Sequence, residues 1–429
     1  MSEYDVVVVG AGAAGLAALG ELANTGRRVL CIEARDRIGG RIFTLRDPLS
    51  PVPIELGAEF IHGRPPEIWN AVRASRLGVY DCVEKALHIR DSVVQPEGDA
   101  WEQINRVMEE MCRAAKERDE PFASFLEKTT YSQSTKELAS SFVEGFNAAR
   151  KDVVGIASLA KDTKASDEIN GDRSFRLWSG YDAIALHLLS ANAELRLNCV
   201  LDEVIWRPGA VELHIRNATT GESRIYRARK AVITVPLGVL QSSAIRWAPE
   251  PTQALEAAAA LAFGQVMRVV LRFREAFWEQ RNEFVDAGFL LSNEPVFPAW
   301  WTTLAVRAPI LTGWSAGSKA DALLGKSREQ IVKAAIQSLA KIVDKPAASI
   351  GDLLERAYFH DWQSDPFARG AYSYVPAGAL KARERLAEPL DDTLYFAGEA
   401  TELNGHSATV HGAIASGVRA AQLIVQSGT

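Results

Sequence analysis

Three glycines, one carboxylate and one arginine near the start of the chain have the types and spacing of a nucleotide site. Gly10-Ala11-Gly12-Ala13-Ala14-Gly15 follows four valines at 6–9 and opens an alanine-rich stretch. A buried strand that turns at glycines into a helix aims backbone N–H groups at a pyrophosphate. Gly10 permits the tight turn, Gly12 removes a side chain from the path of the phosphates, and Gly15 lets the helix approach the strand. A second strand over 28–32 ends at Glu33, about 20 residues past the glycines, where a carboxylate takes ribose hydroxyls. An acid there suits a free ribose better than a 2′-phosphate and leaves FAD and NAD both open. Ile38-Gly39-Gly40-Arg41 then adds a second glycine pair and a guanidinium able to grip phosphate with two bonds, a clamp that NAD sites do not need.

The composition limits what these residues can serve. At 429 residues the chain has material for two or three domains, and 47% hydrophobic with 24% charged residues is ordinary for a globular protein. A net charge of −6 argues against nucleic acid or an anionic membrane as the main partner. Cys31, Cys82, Cys112 and Cys199 form no CxxC pair and read as reduced thiols. Among the seven histidines only His406 and His411 lie close together, five apart, which suits no metal site on one helix face. No apolar run reaches the ~18 residues of a spanning helix, and the cradle strand begins too early for a signal peptide to precede it. The expectation is a cytoplasmic protein.

The elements that hold the site follow in order. Residues 54–63, IELGAEFIHG, read as a strand running into a loop that carries His62. From about 69 to 180 apolar residues recur at threes and fours, notably over 101–116 and 135–149, and predict a helical insertion. Residues 179–186 resemble a capped helix. Short alternating strands at 195–200, 204–206, 211–216 and 223–228 predict an antiparallel ribbon beside the parallel sheet, followed by a buried strand over 231–240 that breaks at Pro236. Further strands are expected at 264–274, 297–302 and 309–315, and a helix at 327–343. The run at 393–399 is a buried strand ending at Gly398-Glu399, with a helix over 409–426. The fold class is therefore α/β: a Rossmann-like nucleotide domain (1–80, 195–250, 385–429) interleaved with a discontinuous α+β substrate domain (81–194, 251–384). Ligands of open α/β sheets sit at the carboxyl ends of strands, so Gly398 and Glu399 should face the crevice of Gly10 to Gly15.

Four blocks carry a resemblance: the cradle with IGGR, ELGAEFIHG at 55–63, VITVPLGVL at 232–240, and DPFARGAYSY with YFAGEATELNGHSATVHGAIASG near the end. In this order they are similar to the flavin-dependent amine oxidases, closest to polyamine oxidases and lysine-specific histone demethylases, over essentially the whole chain. The resemblance implies FAD. Gly10, Gly12, Ala14, Gly15, Glu33, Ala34, Arg35, Gly39, Gly40 and Arg41 would hold its ADP half. Gly57, Ala58 and Glu59 belong to the second block of the cofactor site. Val204 matches the residue whose backbone meets the adenine, Glu399 the acid near the ribityl and pyrophosphate, and Thr409-Val410 the helix start beneath the isoalloxazine. Relatives with covalent flavin carry a cysteine where this chain has Ala371, so the resemblance implies non-covalent FAD. The implied reaction moves a hydride equivalent from the carbon beside an uncharged amine to flavin N5, with water hydrolysing the imine and O2 reoxidising the flavin to give peroxide.

The chain also departs from that pattern. In GQVMRVVLRFREAFW, Arg268 stands where most relatives have a lysine holding a water at N5. Arginine cannot act as a base, so it either keeps a positive charge beside N5 or turns outward. His406 falls near an aromatic wall position of relatives and Phe367 matches the opposite one, although Phe367 also reads as core packing. His62 matches a substrate-contacting position of polyamine oxidases, or is a loop histidine without a role. Glu59 is placed to meet a second ammonium. The arginine that amino-acid oxidases place near Glu59 and Phe60 is missing. The leading expectation is oxidation of a small or polyamine-like amine, with Arg268 and His62 as catalytic residues. The alternatives are a dehydrogenase or desaturase acting on another C–H bond, and a flavin-stabilised binding protein without turnover.

Overall fold

The four valines form the centre of the strand Tyr4–Val9, buried on both faces, as a β-branched run without polar alternation requires. In the computed structural model, which describes residues 3–95 and 99–428, this strand pairs in parallel with Val29–Ile32 on one side and Ser223–Ile233 on the other. Glu194–Arg196 and Leu394–Phe396 extend the parallel set. Gly10, Glu33, Thr234 and Gly398 therefore reach one edge of the sheet, just beyond the carboxyl ends of their strands.

Ser223–Ile233 differs from the reading as two strands, 223–228 and 231–240. It is one continuous strand of 11 residues. Its first half pairs antiparallel with Ala210–Asn217 and its second half parallel with Tyr4–Val9. It ends at Ile233, and Pro236, which has no N–H to offer a ladder, caps the short helix Leu237–Leu240. The expected ribbon is thus part of the same eight-stranded sheet, continued by Cys199–Arg207 and Arg246–Ala248.

A second, seven-stranded sheet holds Val266–Phe273 one strand in from its edge, between Leu354–Phe359 and Ile310–Ala316. The strand expected at 264–274 is split at Gln265, since Ala262–Gly264 pairs instead with Tyr372–Tyr374. Met267, Val269, Leu271 and Phe273 point to a core shared with helix Arg328–Ile342, whose start carries a Ser327/Gln330 capping box. Strand alternation then turns Arg268 to the opposite, inner face. The helical insertion contains Asp99–Ala114, Phe122–Glu127, Gln133–Asn147 and Ile156–Glu168, packed around Val107, Phe122, Phe125 and Val143. Between the two large sheets a small one joins Ile61–His62, Ser174–Leu177 and Val79–Asp81.

Candidate active site

The cradle has the geometry a dinucleotide requires. Gly10 has φ +102°, and a Cβ at Gly15 would lie 1.8 Å from the Gly10 carbonyl oxygen, so strand and helix meet through backbone. No side chain caps helix Ala13–Ala23, which leaves its first amides free for an anion. Beside Gly12 an added Cβ would meet only Gly40 Cα, 3.9 Å away, and at Gly398 (φ +136°) it would meet nothing within 4 Å. Glu33 is buried, with its oxygens oriented by the amides of Ala11 (2.7 Å) and Arg35 (3.0 Å), and each oxygen retains a lone pair for a ribose hydroxyl. These features fit FAD. The residue in the turn at 371 is alanine, which offers no thiol for a covalent bond to flavin.

Arg41 and Glu399 bind each other across this cradle, Nη1 to Oε1 at 2.9 Å, and Arg41 also donates to the Ala371 carbonyl. Glu399 further accepts from the Ser373 hydroxyl (2.6 Å) and the Ala408 amide (3.2 Å). Burial opposes the charge on Glu399, but Arg41 and Ser373 hold its pKa below the usual carboxylate value. Its carboxylate thus ties three segments together around the flavin position. The last helix, Val410–Gln426, starts there with Thr409 Oγ1 accepting from the Gly412 amide at 3.0 Å.

Opposite lies a buried charge cluster. Glu59 accepts from Arg176 Nε at 2.6 Å, from Arg268 Nη2 in a short contact, and from Trp301 Nε1 at 3.1 Å. Arg176 gives its other nitrogens to the carbonyls of Leu304 and Thr302, and Arg268 Nη1 donates to the Gly57 carbonyl at 2.8 Å. Burial alone would raise the Glu59 pKa, yet the two guanidiniums bring it below the ordinary value. Arg268 is 4% exposed, so the outward alternative is excluded. Glu59 already accepts from two cations and an indole, three of the roughly four lone-pair directions of its carboxylate, and the two guanidiniums more than balance its charge. The guanidinium missing from the local sequence near Glu59 is supplied in space by Arg176, on a strand more than 110 residues away. Nothing local in the sequence signals that pairing; only the strand register beside Phe175 does.

Aromatic rings continue this wall. Phe60 packs against His62 (5.9 Å between centroids) and Trp301 (5.5 Å), and Trp301 against Trp314 (5.7 Å). Trp314 donates to the Gly145 carbonyl, and the neighbouring Phe146 ring lies 5.5 Å from His62, which closes the circuit. His62 keeps some accessible surface, and desolvation lowers its pKa to about 4, so the imidazole is neutral near pH 7. His406 and His411 are in ring contact at 4.9 Å; burial, then the neighbouring imidazoles, lower the His411 pKa to about 3.

Two expected positions move. Phe367 lies under the Arg35 guanidinium, 5.5 Å from its ring centre, and Arg35 binds Asp365 beside Glu33. That puts Phe367 beside Arg35, the neighbour of Glu33. The aromatic residue that reaches the wall is Tyr372, whose hydroxyl donates to the Phe146 carbonyl at 2.9 Å. Val204 is fully buried and paired with Leu213 on one side and Trp247 on the other, so its backbone is committed to the sheet. The irregular backbone lies three residues earlier, at a bulge between Leu201 and Glu203, in the strand whose Cys199 amide donates to the Glu33 carbonyl.

A family model described as flavin containing amine oxidoreductase matches residues 13–425. Polyamine oxidase 3 of Oryza sativa subsp. japonica is 28% identical over 97% of this chain and 88% of its own length. Lysine-specific histone demethylase 1 homolog 3 of Arabidopsis thaliana is 26% identical over 99% of this chain, which spans 30% of that relative's length. In structure the chain is similar to a putrescine oxidase bound to putrescine (TM-score 0.82, 19% identity) and to cyclohexylamine oxidase from Brevibacterium oxydans (TM-score 0.81, 21% identity), each over 99% of both chains. With the FAD-shaped cradle and the family model spanning nearly every residue between its ends, the chain belongs to the flavin containing amine oxidoreductases.

Proposed function

We propose that this protein is an amine oxidase that turns R–CH2–NH2, O2 and H2O into R–CHO, NH3 and H2O2. The observation that carries the reading is the aromatic circuit around a neutral His62, set at the flavin end of the cradle. FAD, when bound, supplies the hydride acceptor and passes the two electrons to O2. The chain's own residues do the rest. His62 accepts a hydrogen bond from the amine N–H and so turns the nitrogen lone pair into line with the C–H bond that breaks, with Ser174 Oγ 3.3 Å from its Nδ1 to orient the ring. Phe60, Trp301, Trp314 and Tyr372 exclude water and confine the C–H to one approach. Arg268 keeps a permanent positive charge against this wall, and the N-terminus of Val410–Gln426 favours negative charge at the flavin end.

The proposal includes the two-domain division stated above, supported by the separate large sheets, and a cytoplasmic location, supported by four free cysteines. Among the described residues no helix is long and apolar enough to cross a membrane. The test is anaerobic mixing of the purified yellow protein with an amine panel. Bleaching of the flavin, then one peroxide per aldehyde on aeration, is expected; a flavin that no amine bleaches overturns the reading.

A further inference from the structure

Resting on that reading, we propose that the pocket selects amines whose remainder is uncharged and apolar, and that Arg268 sets this selection against diamines and polyamines. The first argument is a charge count. Arg176 and Arg268 both bind Glu59, so the cluster beneath the aromatic wall carries one net positive charge. Trp301 and Phe60 lie directly over these guanidiniums, with ring centres 5.5 Å from Arg268 and 4.7 Å from Arg176.

Glu55 feels both Glu59 and Arg268, but burial pushes its carboxyl up to about 7, so it offsets the cluster only in part. Glu402 accepts the amides of Asn404 and His406, behind the loop that bears His406. Asp162 faces the Ser407 hydroxyl on the same side. Glu144 is held by Ser318, and Glu55 by Thr44 and the Tyr181 amide. The imidazoles of His62 and His411 feel desolvation and, for His411, other imidazoles, with no carboxylate among their influences. A distal ammonium thus finds net repulsion and no partner.

A distal carboxylate is drawn by the same net charge but finds no hydrogen bond to repay its desolvation. Every nitrogen of Arg176 is engaged, and the one unpartnered nitrogen of Arg268, Nε, is completely buried. Neither guanidinium can offer the two-pronged grip by which arginine recognises carboxylates. The approach to the pocket is apolar as well. From Trp101 (43% exposed) the rings of Phe142 and Phe146 (55% exposed) lead to His62, with centroid spacings of 5.9, 5.7 and 5.5 Å. This aromatic path favours a hydrocarbon or aryl tail.

Hexylamine and 1,5-diaminopentane are near-isosteres differing by a methyl against an ammonium, and 6-aminohexanoate carries a carboxylate at the same end. The experiment compares their dissociation constants and flavin-reduction rates in anaerobic stopped flow at pH 7.5. One uncompensated charge about 8 Å away disfavours the second ammonium by roughly 30-fold, so hexylamine should exceed the diamine by at least that in reduction efficiency. Arg268→Gln should narrow the ratio to under about threefold through tighter diamine binding rather than faster reduction. Equal or better use of the diamine or the aminohexanoate by the unaltered enzyme overturns the selection, and an unchanged ratio in the variant overturns the role of Arg268. If Arg268→Gln fails to hold flavin, the comparison on the unaltered enzyme still decides the selection. Dissociation constants can also be read from perturbation of the flavin spectrum without turnover. The selection is therefore tested even if no amine reduces the flavin, an outcome that would refute amine oxidation itself.

Discussion

The cofactor cradle and the substrate wall are built on opposite principles. At the cradle, backbone meets backbone: Gly15 against Gly10, and Gly12 against Gly40, with few side chains between. At the wall, Glu59, Arg176, Arg268 and Trp301 come from four separated segments and meet only through side chains. A backbone site depends on steric room, whereas a buried charge cluster depends on every partner being present at once. The strand–helix contact at Gly15 tolerates no added atom; the charge cluster tolerates no missing charge.

Adding one side chain at the cradle should have the largest effect. Gly15→Val places carbon within 2 Å of the Gly10 carbonyl oxygen and forces strand and helix apart. We expect loss of bound flavin and at least about 4 kcal/mol of stability, read from the flavin-to-protein absorbance ratio and urea unfolding. A flavin-replete, stable variant would break the contrast. Removing one charge at the wall comes next. Glu59→Gln leaves two buried guanidiniums without their shared anion, for about 3 kcal/mol lost by the same unfolding assay, with the flavin ratio unchanged. A loss below 1 kcal/mol would mean that the cluster is not a unit.

The smallest effect concerns pH. His411 has a pKa of about 3 when folded and near 6.5 when unfolded, so below pH 6.5 the unfolded chain binds the extra proton and stability falls with acid, down to about pH 3. His411→Phe removes that contribution, which amounts to about 2 kcal/mol at pH 5. The difference in stability between pH 7 and pH 5 should shrink by this amount in the variant. An unchanged difference would show that this imidazole is not held neutral.

The same contrast explains what the sequence reveals. Gly10, Gly12, Gly15 and Glu33 act through local geometry, and their spacing alone locates them. The helices near 101–116 and 135–149, and the meeting of Gly398 with the cradle, follow from periodicity and from parallel-strand logic. Arg176 was invisible because its role is set by the pairing of Ser174–Leu177 with Ile61–His62, a matter of register over more than 100 residues. The bulge between Leu201 and Glu203 is equally invisible to a strand pattern, since one extra residue changes which backbone groups near Val204 are free. Phe367 and Tyr372 lie five apart in one motif, yet across the turn at Arg369 (φ +61°) and Gly370 (φ +146°) one meets Arg35 and the other the Phe146 carbonyl. An alternation count cannot see such a reversal.

The junction of the first and last helices bears on how the molecule is made. A Cβ at Gly417 would lie 2.1 Å from the Ala14 carbonyl, so helix Ala13–Ala23 is packed by a segment some 400 residues later. At typical synthesis rates of roughly 5–20 residues per second, the nucleotide turn waits roughly 20–80 s on the ribosome with its apolar flank uncovered. Closure of that flank is the highest-separation contact in the cradle and so belongs late in folding. Cofactor capture thereby waits until the segment around Gly417 has been made, and the interval before it is when a chaperone has most to protect.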